Sequence, residues 1–419
     1  MRTILVSAYA CEPLKGSEQG VGWNWVLQMA KYNNVHVITR ANNRIPIETH
    51  LPADVAENIT FHYYDTADVI RKLKNRAKGL YFYYFCWQVG ITPLVQKLIR
   101  QYHFDYSMHL TFGSMWMPTF LPFFKTPFIW GPIGGGDGEP TSFLKQLPIK
   151  QRMMQYGRWM MNRTSFLNPA VIVPGYRATA ILTRTDNSAD VIPKIFRPKV
   201  RTILETAMES EIFTFGTAPE KEDDKTIKLV FTGRLTPSKN VLSIVRALRF
   251  IPLSYPIQLT IIGSGSEKSS IKQEVEKYRL QDRVQFISEV SRNKVLRELT
   301  QSDIYLFPSL REGGSWALME AMAIGLPVIC LNWSGMTVIT DDASAIRLPV
   351  TNPEQMPKDM AQAICRLIEH PEVRCKMGLA ARKRIKNVFN WEAKGEFMET
   401  LFSELDAKKQ LIGRGTKHG

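Results

Sequence analysis

The sequence predicts an α/β protein built from two parallel-sheet domains. Short apolar runs bounded by glycine or proline alternate with stretches of helical length and period, and that alternation restarts after a polar stretch at 217–226. The chain has 419 residues, 44% hydrophobic and 22% charged, which is too long for one ordinary core and has the balance of a globular protein.

In the first half, residues 4–7, 35–39, 59–63, 106–110 and 128–130 read as strands, and the intervening stretches are long enough for helices. In the second half the strand candidates are 227–232, 257–262, 284–287, 304–307 and 328–331, near-continuous apolar runs of the kind buried on both faces of a parallel sheet. The two domains are expected to join near residue 200. Ligands of open parallel sheets sit beyond the carboxyl ends of the strands, so the residues just after each strand carry the functional expectations.

The formal net charge is +15, and the first 200 residues hold 23 basic against 12 acidic side chains. Such a field favours an anionic membrane surface, nucleic acid or a phosphorylated substrate, and charge alone does not choose among them. No nucleic-acid-binding module is recognisable, so nucleic acid is not an expected partner. Five cysteines lie far apart without C-x-x-C spacing, which points to neither a zinc site nor a disulfide framework and fits a reducing cytoplasm. No signal-peptide core follows Met1 and no run of 18 apolar residues occurs, so the expectation is a cytoplasmic protein that does not cross a membrane.

The strongest chemical signal spans 308–329 and reads as strand end, loop, helix and next strand. Gly313, Gly314 and Ser315 open the helix, whose unpaired N–H groups and positive dipole end suit hydroxyls and phosphate oxygens. Glu312 precedes that turn and Glu320 lies within the helix, two carboxylates able to grip two different polyol groups. This stretch resembles the E-x7-E signature of retaining GT-B glycosyltransferases, particularly glycosyltransferase family 4, and the resemblance extends through most of the chain. It implies two Rossmann-like domains facing each other across a cleft, with Glu312 toward the donor hexose and Glu320 on the nucleotide ribose.

Residues 231–240 follow the first strand of the second domain and are similar to the family's G-R-L-x-x-x-K-N turn. Arg234 offers a planar fork and Lys239 a compact charge, a pair suited to a diphosphate leaving group as its charge grows. They would take the place of a divalent metal, and the sequence contains no Asp-x-Asp triplet. No metal and no cofactor are therefore expected, the nucleotide-diphosphate sugar being the donor substrate.

Other loops are less specific. Gly263-Ser264-Gly265 is either a nucleotide-contacting turn or simply a tight strand-to-helix turn. The family turns the loop at 286–290 against the base through main-chain groups, which leaves no side chain to name the base. Residues 11–22 look like its first glycine-rich loop, with Gly16 against the diphosphate. His109 closes a strand-like segment where related enzymes place a histidine near the reacting centre. Residues 130–138, too glycine-dense for helix or strand, are expected to line the cleft as a loop.

Asn390-Trp391-Glu392 resembles the family's final segment, whose helix returns to the first domain. The resulting boundaries are 1–200 for an acceptor-side domain, 201–390 for a donor-binding domain and 391–419 for the returning helix with a frayed tail. Basic residues at 71–78 beside aromatic 81–87, and again basic residues among methionine and tryptophan at 145–163, fit contact with an anionic inner-membrane surface as well as a core-plus-solvated-face arrangement. The expected activity is hexosyl transfer with retention, to a glycan or lipid-linked acceptor in cell-surface polysaccharide synthesis. The catalytic set is Glu312, His109, Arg234 and Lys239. A nucleotide-sugar epimerase, or a non-catalytic nucleotide-sugar-binding subunit of an assembly complex, is the alternative.

Overall fold

A computed structural model describes residues 1–73, 79–215, 226–288 and 290–415. The chain forms two compact units, Met1–Gly136 with Asn162–Glu205 and Trp391–Gly419, and Asp137–Met161 with Thr206–Asn390.

The first unit holds a seven-stranded sheet of β1 (Thr3–Ala8), β2 (Asn34–Arg40), β3 (Ile59–Tyr64), β4 (Tyr106–Thr111), β5 (Phe128–Ile133), β6 (Ala178–Thr183) and β7 (Val200–Thr202). Its order is β3-β2-β1-β4-β5-β6-β7, and every neighbouring pair is parallel. In the first two strands both faces are covered: Ile4, Val6, Val35 and Val37 are fully buried, and so are Leu5 and Ile38, which point the other way.

Strand β5 corrects the sequence reading, which made a loop of everything from residue 130. The strand continues through Gly131 and Pro132 because Gly131 adopts a φ of +125°, and pairing with β6 shifts register between Trp130 and Ile133. The result is a bulge that a glycine permits and a regular strand would not.

Helix Trp391–Gly415 belongs to the first unit and packs along helix Ser17–Ala30. Arg2 ties it to β1, donating to Glu399 and Asp406 at 2.6 Å each, and the Tyr106 hydroxyl donates to Asp406 at 2.6 Å. Phe402 is buried with its ring 5.0 Å from that of Tyr106.

The second unit carries β8 (Ile227–Thr232), β9 (Ile257–Ile262), β10 (Val284–Ile287), β11 (Ile304–Phe307), β12 (Val328–Leu331) and β13 (Ala345–Leu348), in the order β10-β9-β8-β11-β12-β13. All pairs are again parallel. One segment departs from a division at residue 200: residues 137–161 group with the second unit. There the Trp333 indole donates to the Gly138 carbonyl at 2.9 Å and the Ser334 hydroxyl to Asp137 at 2.8 Å, while Phe143 is fully buried. Among the described residues no helix is long and apolar enough to cross a membrane.

Candidate functional site

In the second unit the strand order reverses between β8 and β11, which lie side by side while β9 and β12 extend in opposite directions. Loops leaving two such strands must diverge above the sheet, and the space between them is where ligands of this architecture bind. Both of the strongest sequence motifs occupy those two loops.

The loop after β8 is held against the loop after β9 by glycines. Gly233 and Gly263 adopt φ values of +149° and +146°, and a Cβ at Gly263 would lie 1.9 Å from the Gly233 carbonyl oxygen. Gly265 is equally confined against Leu235, whose N–H donates to Ser264 at 2.7 Å. Close loop packing accounts for the Gly-x-Gly pair. Residues 237–239 then make a single 3₁₀ turn, and Asn240, with φ +54°, starts helix Val241–Leu248.

The loop after β11 crosses this turn. Leu310 N–H donates to the Ser238 carbonyl at 2.7 Å, and the Ser309 hydroxyl lies 3.1 Å from Glu312 Oε1. Glu312 forms an ion pair with the Lys239 ammonium, both side chains being largely buried. Burial pushes the Lys239 ammonium down to about 8, and the neighbouring guanidinium groups of Arg234 and Arg311 add to the shift.

Helix Trp316–Ile324 begins immediately afterwards. Ser315 caps it by accepting from Leu318 N–H at 3.3 Å. Gly314 passes so close to Thr206 that a Cβ would lie 2.2 Å from its hydroxyl oxygen. Behind the loop, Gly335 N–H donates to the Glu312 carbonyl at 3.0 Å, and the Ser334 hydroxyl contacts the same carbonyl. Glu312 is therefore clamped at its main chain by residues 334 and 335 and at its side chain by Lys239.

Glu320 is buried one helix turn further on. Arg292 donates to its Oε1 at 2.6 Å and reaches Glu209 at 3.3 Å. Burial pushes the Glu320 carboxyl up, opposed by Arg292, while Glu209 adds to the rise.

Thus Arg234, Lys239, Glu312, Gly313, Gly314, Ser315 and Glu320 lie in one unit, and Gly16 and His109 in the other. Sequence reasoning missed Arg292, Arg311 and Ser334. Arg292 has no local signature, standing alone at the start of helix Arg292–Thr300. Ser334 had a legible signal, a Ser-Gly pair in the short loop after a strand.

Gly16 precedes helix Ser17–Ala30 with φ −81°, is exposed, and a Cβ there would meet nothing within 4 Å. The confined glycines of the 11–22 stretch are Gly20 and Gly22, both within the helix, whose added Cβ atoms would lie 2.1 and 2.0 Å from carbonyl oxygens. His109 stands inside β4, opposite Ser7 and Trp130, fully enclosed. Burial pushes it down to about 4, so it is a neutral imidazole at neutral pH. In the same unit Arg184 pairs with Glu18 and Glu205, both at 3.3 Å, and Glu18 also accepts from Gly113 N–H at 2.8 Å.

The aromatic run at 81–87 divides. Tyr83, Tyr84 and Trp87 are core, whereas Tyr81, Phe82 and Phe85 face outward. Of the basic run beside it, Arg71 and Lys72 end helix Asp68–Leu73, and residues 74–78 lie outside the described residues. So do residue 289 of the loop expected at the base, most of the polar stretch 217–226, and residues 416–419 of the tail.

Residues 215–384 match the family model for glycosyl transferases group 1. That stretch contains Arg234, Lys239, Glu312, Gly313, Gly314, Ser315 and Glu320. An uncharacterized glycosyltransferase of Methanocaldococcus jannaschii is 31% identical over 183 residues, 43% of this chain and 45% of that protein. The aligned stretch spans about half the length of the curated relatives. Among solved structures, a lipopolysaccharide outer core galactosyltransferase superposes with a TM-score of 0.64 at 14% identity, covering 96% of this chain and 99% of its own. Anabaena HepE, solved in complex with UDP, gives 0.61 at 13% identity, covering 96% of this chain and all of its own. These likenesses show the fold, that of the GT-B glycosyltransferases with two Rossmann-like domains.

Proposed function

We propose that the chain is a retaining glycosyltransferase that moves a hexose from a nucleotide-diphosphate sugar to a glycan or lipid-linked acceptor in cell-surface polysaccharide synthesis. The observation that carries this reading is the buried Lys239–Glu312 pair at the strand-order reversal, set in the field of Arg234 and Arg311. An ammonium buried among guanidinium groups is poorly compensated by one carboxylate, and a diphosphate supplies the missing negative charge.

In the proposed reaction the bond between the anomeric carbon and the diphosphate oxygen breaks, and Arg234 and Lys239 stabilise the charge that develops on the departing oxygen. The acceptor hydroxyl attacks the same face, its proton passing to a phosphate oxygen, so that configuration is retained. Glu312, released from Lys239 as the diphosphate arrives, turns to the hexose hydroxyls. Glu320 holds the ribose with the carboxylate that Arg292 orients. The N–H groups of Gly313 and Gly314 face the donor, with Gly16 along the diphosphate and His109 near the reacting centre as a neutral group. No metal or cofactor enters this scheme, and the reaction is placed on the cytoplasmic side of the membrane. UDP bound to the structurally similar HepE, and the galactosyltransferase among the similar folds, support a nucleotide hexose as donor.

The test is donor hydrolysis and transfer across uridine, guanosine and adenosine diphosphate sugars, with membrane lipid extract as acceptor, comparing the natural chain with Glu320→Ala and Arg234→Ala. Release of one nucleoside diphosphate, dependent on extract and lost in both variants, is the expected result. Absence of turnover and of donor binding under every condition would sink the reading.

A further inference from the structure

Helix Ile149–Arg163 is inside out. Its sequence, IKQRMMQYGRWMMNR, contains no acidic residue, and none of its side chains is buried. At 100° per residue, Gln155, Arg158 and Asn162 fall on one face and Ile149, Met153, Tyr156 and Met160 on the opposite one. The polar face meets the protein: Gln155 donates to Glu139 at 3.2 Å, Arg158 to the Asp137 carbonyl at 3.4 Å and Asn162 to the Gly136 carbonyl at 3.0 Å. The apolar face meets solvent. Ile149, Met153, Met154, Tyr156, Trp159 and Met160 are 53–72% exposed.

A surface helix of a water-exposed protein normally buries its apolar face, because removing large apolar side chains from water is favourable. Here the hydrogen bonds fix the opposite orientation. Such a patch marks a surface built for a partner.

We infer that this helix docks the protein on an anionic lipid bilayer, with its methionine and aromatic face entering the headgroup boundary. Charge and composition select that occupant. Lys150 and Arg152 lie at the margins of the apolar face, where they meet lipid phosphates, and the helix itself carries no carboxylate. Tyrosine and tryptophan are the side chains that settle at a membrane interface, and unbranched methionine adapts to disordered chains. The inference concerns a surface outside the donor site and stands whether or not the proposed transfer reaction is correct.

The test is co-sedimentation of the full chain with vesicles of phosphatidylcholine alone and with about 30 mol% phosphatidylglycerol. Two variants are compared with the natural chain, Met153→Ser/Met154→Ser/Tyr156→Ser and Lys150→Glu/Arg152→Glu. All the substituted side chains are exposed or partly so, and circular dichroism with a thermal melt checks that both variants remain folded. The expected result is binding to the anionic vesicles only, reduced at least about tenfold in each variant and weakened by salt, while binding of uridine diphosphate to the protein is unchanged. Equal binding by variants and natural chain, or no binding to either vesicle, would overturn the inference. So would concentration-dependent self-association in sedimentation velocity, lost in the apolar variant and without vesicle binding, because the face would then be covered by a second copy.

Discussion

Lys239 holds its charge at a cost, and that cost makes it readable. Its ammonium titrates near 8 in the free protein, so it is cationic below that pH and neutral above. If it stabilises the departing diphosphate, kcat/KM falls as pH rises through about 8, the limb that reports the free enzyme. Lys239→Arg keeps its charge across that range and should lose the limb, though a fork replaces a point charge. Lys239→Ala should lower kcat by about 10²–10³, the usual effect of removing one such electrostatic contact. Gly16 offers a different kind of probe. An alanine there meets open space at an ordinary φ but caps helix Ser17–Ala30 less well than glycine, so stability should fall by no more than about 1 kcal/mol. A raised donor KM in a protein that stays folded at the assay temperature would assign the glycine to the ligand, and an unchanged KM would remove Gly16 from the donor site.

At the scale of elements, the loops after β8 and β9 are held in place by glycines that approach one another's main chain. Gly263→Ala puts a methyl group 1.9 Å from the Gly233 carbonyl oxygen at a φ that L-residues avoid, and should cost roughly 2–4 kcal/mol in urea unfolding. Nucleotide affinity should fall with it, because the 233–240 loop cannot stay where it is. This also shows where sequence reading stops. Strands β8 to β12 were legible because apolar runs in a parallel sheet are nearly unbroken, and the loops after β8 and β11 because their motifs follow those runs directly. Strands β6, β7 and β13 were not: Ala178–Thr183 is alanine-rich, Val200–Thr202 has three residues, and Ala345–Leu348 is a four-residue edge carrying Arg347. The partnership of Arg292 with Glu320 was equally hidden, since it joins two helices 28 positions apart and nothing local to either announces it. His109 lies inside the strand whether it ends at 110, as expected, or at Thr111, and its burial comes from packing over the sheet face that no local pattern announces.

Across the whole molecule, the chain's units are not consecutive stretches. The first unit is completed by helix Trp391–Gly415, whose Phe402 fills space beside Tyr106. Phe402→Ala should cost about 3–5 kcal/mol, the usual range for a buried aromatic, and lower the first thermal transition. Ending the chain at residue 390 should go further, leaving Arg2 and Tyr106 without their carboxylate partners and the face of helix Ser17–Ala30 uncovered. Proteolysis of the shortened chain within its first 136 residues would be the readout, and resistance equal to that of the natural chain would contradict the prediction. The same arrangement bears on biosynthesis. A ribosome finishes the sheet of the first unit well before it makes the helix that covers it, and at about 5–20 residues per second the interval is roughly 10–40 s. During that wait the second unit can fold while apolar surface of the first stays bare, so a nascent-chain chaperone, or slow synthesis ahead of residue 391, would govern yield more than the stability of the finished protein does.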